Sequence, residues 1–369
     1  MLRYIEIKRN LTDLVIKMHP GEKLPSRLSL CKKLDTSRVT LDKAIEELRQ
    51  EGVLYSIKGS GTYVNALIQE TVPVTENWGL ILPNVMTPVF VEITRAIENF
   101  TESKGINLIL CNSDEDIEKQ ENYIRRLTAS PVSGFIMIPV VCDDLFQNIN
   151  VYGRLLETRI PLVFCSRVIP SIDVPVVMIN NFYGGYIATR HLISRGYRHI
   201  AFVAAHRNNK GTVTGDRCQG YISALMEEGI PVNHRLILID NSHDIRGAYT
   251  ALRALLDSGE PVDAVFGIND EICSIVYDAI RDSGKRVSTD VGVIGFDNLA
   301  SCETMKPPLS SVTYRGMDIG YKAAEILWNT SHNLQPKPDY PYYFCQPQLA
   351  VRSSSLGPGL PVEPAESDS

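Results

Sequence analysis

The stretch at residues 24–64, LPSRLSLCKKLDTSRVTLDKAIEELRQEGVLYSIKGSGTYV, changes its periodicity twice. Pro25-Ser26 reads as a helix start, with Ser26 as N-cap and Leu30, Cys31 and Leu34 as the buried face. A second helix follows, capped by Thr36 or Ser37. Leu41, Ala44, Ile45 and Leu48 line one side of it, and Gly52 stops it. Val53–Ile57 and Thr62–Val64 are short β runs around Lys58-Gly59-Ser60-Gly61, a hairpin tipped by glycines. Upstream, Tyr4, Leu11, Leu14, Val15 and Met18 predict a first helix over Leu2–Met18, ended by His19-Pro20-Gly21. Three helices and a hairpin make a helix-turn-helix with a wing, a layout that sets one helix in the major groove of DNA.

Charge is distributed accordingly. Residues 1–64 hold 12 Lys and Arg against 8 Asp and Glu, a surplus of +4, whereas the rest holds 25 against 35, a deficit of −10. A basic module on an acidic body presents one face to phosphates. Arg38 and Thr40 fall in the first turn of the third helix, where Arg38 can bind phosphate or reach guanine bidentately. Ser26, Arg27, Lys43 and Lys58 lie around it, and Gly59 and Gly61 allow the wing close to the minor groove.

The stretch resembles the GntR-type winged-helix family. The resemblance rests on Leu24-Pro25-Ser26, Leu34, Ser37-Arg38, Thr40, Ala44, Leu48, Glu51-Gly52 and Gly59-Ser60-Gly61-Thr62-Tyr63-Val64, and it implies DNA binding. Two positions depart from the pattern. Leu28 stands where relatives often carry Arg, with Arg27 one place earlier, and Asp42 stands where they are neutral or basic. Either Arg27 takes over the contact, or Leu28 touches a thymine methyl.

The 369 residues exceed one ordinary domain. Residues 1–66 form the winged helix and residues 67–77 a linker without strong period. From Trp78 apolar strands alternate with amphipathic helices. Expected strands are Gly79–Leu82, Asn107–Cys111, Gly134–Pro139, Leu162–Cys165, Val176–Ile179, His199–Ala204, Leu236–Asp240, Ala264–Gly267 and Val291–Gly295. Helix-like segments between them include Phe90–Lys104, Gly184–Arg195, Arg217–Glu228, Arg246–Ser258 and Glu271–Ser283. This alternation implies an α/β fold with parallel sheets in two lobes, over residues 78–352. The Pro/Gly/Ser/acid-rich residues 353–369 read as a disordered tail.

The second part resembles the LacI/GalR effector domain, a relative of periplasmic sugar-binding proteins. Landmarks run in the family's order: Trp78 to Asn84 with Pro88, Gly134-Phe135-Ile136, Ile160 to Val163, Ile179-Asn180-Asn181 with Gly184, His191 to Phe202, Arg217 to Tyr221, Asn269-Asp270, Val293 to Asn298 and Pro308 to Val312. A GntR-type reader on a LacI-type sensor is the arrangement of arabinose-repressor-like proteins. The resemblance implies a ligand cleft between lobes, with Arg217, Asn269 and Asp297 on a polyhydroxylated ligand. Asp accepts hydroxyl protons, Arg donates and Asn does both. Asn84, Thr87, Arg167 and Tyr314 occupy positions that often line the pocket, with Phe90 and Phe296 as apolar walls. Ser166 stands where many relatives carry an aspartate before the arginine.

The expectation is a cytoplasmic, homodimeric repressor of carbohydrate-utilisation genes that binds operator DNA and a small-molecule effector, a monosaccharide or alternatively a purine or other non-sugar ligand. No run of apolar residues reaches the roughly 18 needed to span a bilayer, and the N-terminus has no apolar leader segment. A transport solute-binding protein would leave residues 1–64 unexplained. No nucleophile-elbow, phosphate-loop or zinc-protease motif is present, and the eight cysteines have no metal-ligand spacing, so neither enzyme chemistry nor cofactor nor metal is expected.

Overall fold

Short polar side chains decide where the helices begin. The Ser26 hydroxyl accepts from the Ser29 amide and opens α2 (Arg27–Lys33), and the Ser37 hydroxyl accepts from the Thr40 amide and opens α3 (Arg38–Gln50). Of the two expected caps, Ser37 is the one used. The structure is a computed structural model that describes residues 7–357 except 9, 13, 16, 17, 20, 58, 66–75, 141–144, 170–171, 206–211, 241–244, 333 and 335–340. The first helix, α1, is helical at its described positions between 7 and 15, and Met18 already lies outside it. Leu11, Val15, Leu24, Leu30, Leu41, Ala44, Ile45, Leu48, Leu54 and Val64 close one small core. The wing is the antiparallel pair β1 (Leu54–Ile57) and β2 (Gly61–Val64). The linker expected over residues 67–77 lies mostly outside the described residues; Asn77 already belongs to a strand. The chain separates into two units, Met1–Thr75 and Glu76–Ser369.

The second unit begins with β3 (Asn77–Leu82), α4 (Pro88–Lys104), β4 (Asn107–Asn112), α5 (Ile117–Thr128), β5 (Gly134–Met137), α6 (Leu145–Glu157), β6 (Leu162–Cys165) and β7 (Val176–Ile179). It continues with α7 (Asn181–Ser194), β8 (Ile200–Ala205), α8 (Thr212–Glu227), β9 (Ile237–Asp240), α9 (Arg246–Asp257), β10 (Ala264–Gly267), α10 (Asp270–Asp282), β11 (Gly292–Phe296), α11 (Ser301–Thr304) and β12 (Ser310–Thr313). It ends with α12 (Gly316–Ser331), β13 (Tyr342–Cys345) and β14 (Gln348–Ala350). Two six-stranded sheets result, in the orders β13-β7-β6-β5-β3-β4 and β14-β12-β11-β10-β8-β9. All pairings are parallel except β12 with β14. Apolar residues on both strand faces produce this, because helices must cover both sides of a parallel sheet. Ile81 packs on one side of β3, and Leu80 and Leu82 pack on the other.

The chain crosses between the lobes three times. It leaves the first lobe after β7, returns after β12 for α12 and β13, and passes back for β14. These last three strands go unrecognised in the sequence reading, being three or four residues long and partly polar. The expected disordered tail also needs correction over its first residues. Ser353–Ser355 form a 3₁₀ turn, and Ser354, Ser355 and Leu356 are buried. The Ser354 hydroxyl donates to the Val293 carbonyl and accepts from the Ser310 amide, which ties this segment onto β11 and β12. Residues 358–369 lie outside the described residues.

Candidate nucleic-acid interface and ligand cleft

In the winged helix, Arg38 stands exposed in the first turn of α3. The Thr40 hydroxyl is bonded to that of Ser37 at 2.9 Å, so it helps to cap the helix. Lys43 is exposed one turn on. Ser26 is a helix cap, and Arg27 is held inside the module. Its Nε donates to Asp42 Oδ1 at 3.0 Å and its Nη2 to the hydroxyl of buried Thr62 at 3.1 Å, so one guanidinium joins α2, α3 and the wing strand β2. Asp42 also faces Arg38 at 3.6 Å. The aspartate that departs from the family pattern is thus flanked by two arginines. Lys58 lies outside the described residues. Gly59 has φ 79° and Gly61 φ 145°, conformations that favour glycine, and a Cβ on Gly61 would sit 2.6 Å from the Lys23 side chain. Lys23, unmarked in the sequence reading, therefore flanks the wing.

In the second lobe, α8 begins five residues before the expected Arg217, so this arginine sits in the helix body and is buried. Its position depends on glycines. A Cβ on Gly185 would lie 2.2 Å from the Arg217 carbonyl oxygen, and one on Gly220 would lie 2.1 Å from that of Phe182. Only bare backbone lets α7 and α8 approach this closely. Gly184 leaves room for the Phe296 ring, which a Cβ there would meet at 2.5 Å. The Arg217 guanidinium lies 3.4 Å from the centre of that ring. Its Nε donates to Asn181 Oδ1 at 2.9 Å and its Nη1 to the Ile268 carbonyl at 2.6 Å, while Nη2 faces Asp297 Oδ1 at 3.7 Å. Tyr314 donates to the same Asp297 oxygen at 3.2 Å. Burial and the Asp297 charge push the Tyr314 phenol well above its ordinary value.

Arg217, Asp297 and Tyr314, expected from three distant segments, are therefore together. Asn269 adjoins them through Ile268, but its Oδ1 is committed to the Ile272 amide as the cap of α10. Asp297 has φ 99° and Asn298 φ 50°. Such conformations in non-glycine residues persist only where surroundings enforce them. Here the Asp297 amide donates to the Val312 carbonyl, the Asn298 amide to the Ser311 hydroxyl and the Leu299 amide to Asp270 Oδ2.

Asp270, missed as a site-building residue, lies almost wholly buried beneath this loop and also accepts from Ser311 at 2.7 Å. Burial raises its carboxyl to about 6, against an ordinary 3.8. Between those values the folded chain binds more protons than the unfolded one. The stability of the protonated form is thus present below about pH 4 and is lost as pH rises through about 6. Asp270→Asn should gain on the wild type by on the order of 3 kcal/mol between pH 4 and 7. Melting temperatures compared across that range check this, and a constant difference contradicts it. Other groups, including buried His191, titrate in both chains and cancel in the difference.

The first-lobe candidates sit at the ends of β3 and β6. Asn84 Oδ1 accepts from the Met86 amide, and its carbonyl accepts from that of Thr87. Thr87 is the N-cap of α4, yet its hydroxyl makes no capping bond. Phe90 is buried with Arg167 5.7 Å from its ring centre. Arg167 binds both oxygens of Glu115, at 2.8 and 2.9 Å. The carboxylate absent at Ser166 is thus supplied from the loop after β4. Two residues after Tyr314, the chain is fixed to the first lobe: the Gly316 amide at the start of α12 donates to Glu92 Oε2 of α4 at 2.7 Å.

One pair imitates a nucleophile and its base: His191 Nε2 lies 2.7 Å from the Ser355 hydroxyl. Both residues are buried, Ser355 also donates to Ser310, and burial lowers the imidazole to about 4. The pair helps to fasten the chain end onto the second lobe.

Residues 75–337 match the family profile of periplasmic binding proteins and the sugar binding domain of the LacI family, and residues 3–64 match that of bacterial regulatory proteins of the gntR family. The chain is 27% identical over 363 residues to the arabinose metabolism transcriptional repressor of Geobacillus stearothermophilus, spanning 96% of this chain and 97% of the relative. It is 30% identical over 326 residues to the HTH-type transcriptional regulator RegA of Clostridium saccharobutylicum, spanning 87% and 94%. Among solved structures, a LacI family transcriptional regulator from Enterococcus faecium with bound ribose aligns with a TM-score of 0.61 at 28% identity, over 76% of this chain and 98% of that one.

Proposed function

The chain belongs to the family of LacI-type sugar-binding domains, carried here behind a GntR-type DNA-binding domain, and we propose that it is a transcriptional repressor of carbohydrate-utilisation genes that leaves its operator when a sugar fills the cleft. The observation that carries the sensor reading is the buried Arg217 laid on Phe296 beside Asp297 and Tyr314. It offers a planar donor, a carboxylate acceptor and a phenol at the seam between two lobes. Hydroxyl-rich ligands need that mixture of donors and acceptors.

The charge of the site selects among ligands. Arg217 faces Asp297 and Arg167 faces Glu115, so each guanidinium already has its carboxylate. An uncharged monosaccharide meets a balanced site, whereas a phosphate must compete with two resident carboxylates. The DNA-bound and released states interconvert by population shift: the sugar favours the closed lobes, and closure changes the separation of two winged helices in a homodimer on a palindromic operator. The site residues are held by protein partners rather than poised on a nucleophile, and we place the protein in the cytoplasm as a regulator, not a catalyst. No described helix is long and apolar enough to cross a membrane.

Thermal denaturation of the full chain with neutral mono- and disaccharides, sugar phosphates and purines tests the effector class. A neutral sugar at 100 times its Kd should stabilise by about 2.7 kcal/mol, a rise of several degrees in Tm. A shift by a purine or a phosphorylated sugar, with none from any neutral sugar, would overturn the sugar assignment.

A further inference from the structure

Most of the polar side chains at the front of the winged helix are engaged within it. Asp42 is bonded by Arg27 and flanked by Arg38, Arg27 also reaches Thr62, and Thr40 is bonded to Ser37. Two apolar side chains in the first turns of α2 and α3 are left open. Leu28 is 71% exposed and Val39 81%, whereas the aliphatic residues of the module's core are exposed by 5% or less. Packing accounts for neither, and helix propensity does not account for Val39. Valine is a poor choice for a solvated helix turn, and neither side chain contributes to the core.

We propose that Leu28 and Val39 read thymine, by laying their methyl groups against the C5 methyl groups in the major groove. The inference rests on the DNA-binding reading and extends it to particular side chains. Three observations favour DNA as the occupant over a protein partner. Val39 directly follows exposed Arg38 in the first turn of α3, the end that carries the positive pole of the helix dipole. The module carries a surplus of +4 on a chain of net −6. Asp42, three residues after Val39 on the same helix side, is flanked by two guanidiniums, which offset the charge that would repel phosphates. The thymine methyl is exposed only in the major groove, so apolar contact there distinguishes it from cytosine. Leu28 thereby replaces a hydrogen-bonding arginine of the family pattern with a methyl contact, which changes the preferred base rather than the fold.

The test begins by selecting duplexes from a random-sequence pool with the full chain. Each thymine of the winning duplex is then replaced by uracil, which removes the C5 methyl alone. Loss of one buried methyl contact weakens binding about four-fold, so at least one thymine in each half-site should show that loss. Val39→Ala and Leu28→Ala should each erase the thymine–uracil difference at its own position while leaving Tm and salt-dependent binding to unrelated duplex unchanged. Val39→Thr, which keeps one of the two γ-methyl groups, should retain the preference. Equal binding of thymine and uracil duplexes at every position overturns the proposal. A difference that survives in both alanine variants overturns the assignment to these residues. Failure to enrich any duplex overturns the DNA-binding reading beneath it.

Discussion

Arg217→Met should produce a repressor that binds its operator and ignores its sugar. Methionine keeps the apolar stem against Phe296 but removes the donors to Asn181, the Ile268 carbonyl and Asp297. Each hydrogen bond from a charged donor is worth about 1.5–3 kcal/mol, so losing two toward the sugar weakens its binding about a hundred-fold or more. Asn181 is itself buried, so the variant should also lose about 1–3 kcal/mol of stability for each acceptor left without a donor. Asp297→Asn provides the control: it keeps an oxygen for Tyr314, removes the charge beside Arg217 and should weaken sugar binding with less loss of Tm. Calorimetric titration of both variants with the sugar that stabilises the wild type measures the effect. Undiminished affinity in both would remove the cleft assignment.

Arg38→Ala should act in the opposite sense, losing operator while keeping sugar. Arg38 is exposed and supports no core contact, so the Tm should remain within about 0.5 kcal/mol of the wild type. Operator affinity should fall thirty-fold or more, since a bidentate guanine contact is worth about 1–3 kcal/mol and a dimer makes it twice. Removing Arg38 also takes one of two cations from Asp42, which adds repulsion to the lost contact. Fluorescence anisotropy on operator and on unrelated duplex separates the two roles open to Arg38. Loss confined to the operator indicates base reading, and equal loss on both, with a shallower salt dependence, indicates phosphate contact. Unchanged operator affinity would move the reading surface elsewhere.

The elements that announce themselves in the sequence do so through local chemistry. Ser26, Ser37 and Gly52 each stand within two residues of the helix end they mark, and the buried strands β5, β6, β7 and β10 are continuous apolar runs. The strands that go unread are those that close the seam: β12, β13 and β14 are short, mix polar residues with apolar ones and acquire meaning only from their parallel or antiparallel partners. The site divides similarly. Arg217, Asp297 and Tyr314 stand out through the order of family landmarks. Glu115 does not, because it meets Arg167 across 52 residues of chain. Asn181 reaches Arg217 across 36, and Asp270 shows its role only once the strained loop at Asp297 and Asn298 lies over it. The Gly184-Gly185 pair has the look of a phosphate-binding turn without its spacing, and its observed use is the close contact of α7 with α8 and Phe296.

Coupling between the two binding events is the central claim, and reciprocal titration tests it most directly. Anisotropy of a labelled operator duplex, selected with the full chain, is followed with and without the saturating sugar, and sugar affinity is then measured with and without saturating operator. Saturating sugar should weaken operator binding at least about ten-fold, and operator should weaken sugar binding by factors whose product over the two sites of the dimer equals that loss, as linkage requires. A sugar that binds in the cleft yet leaves operator affinity unchanged would contradict it.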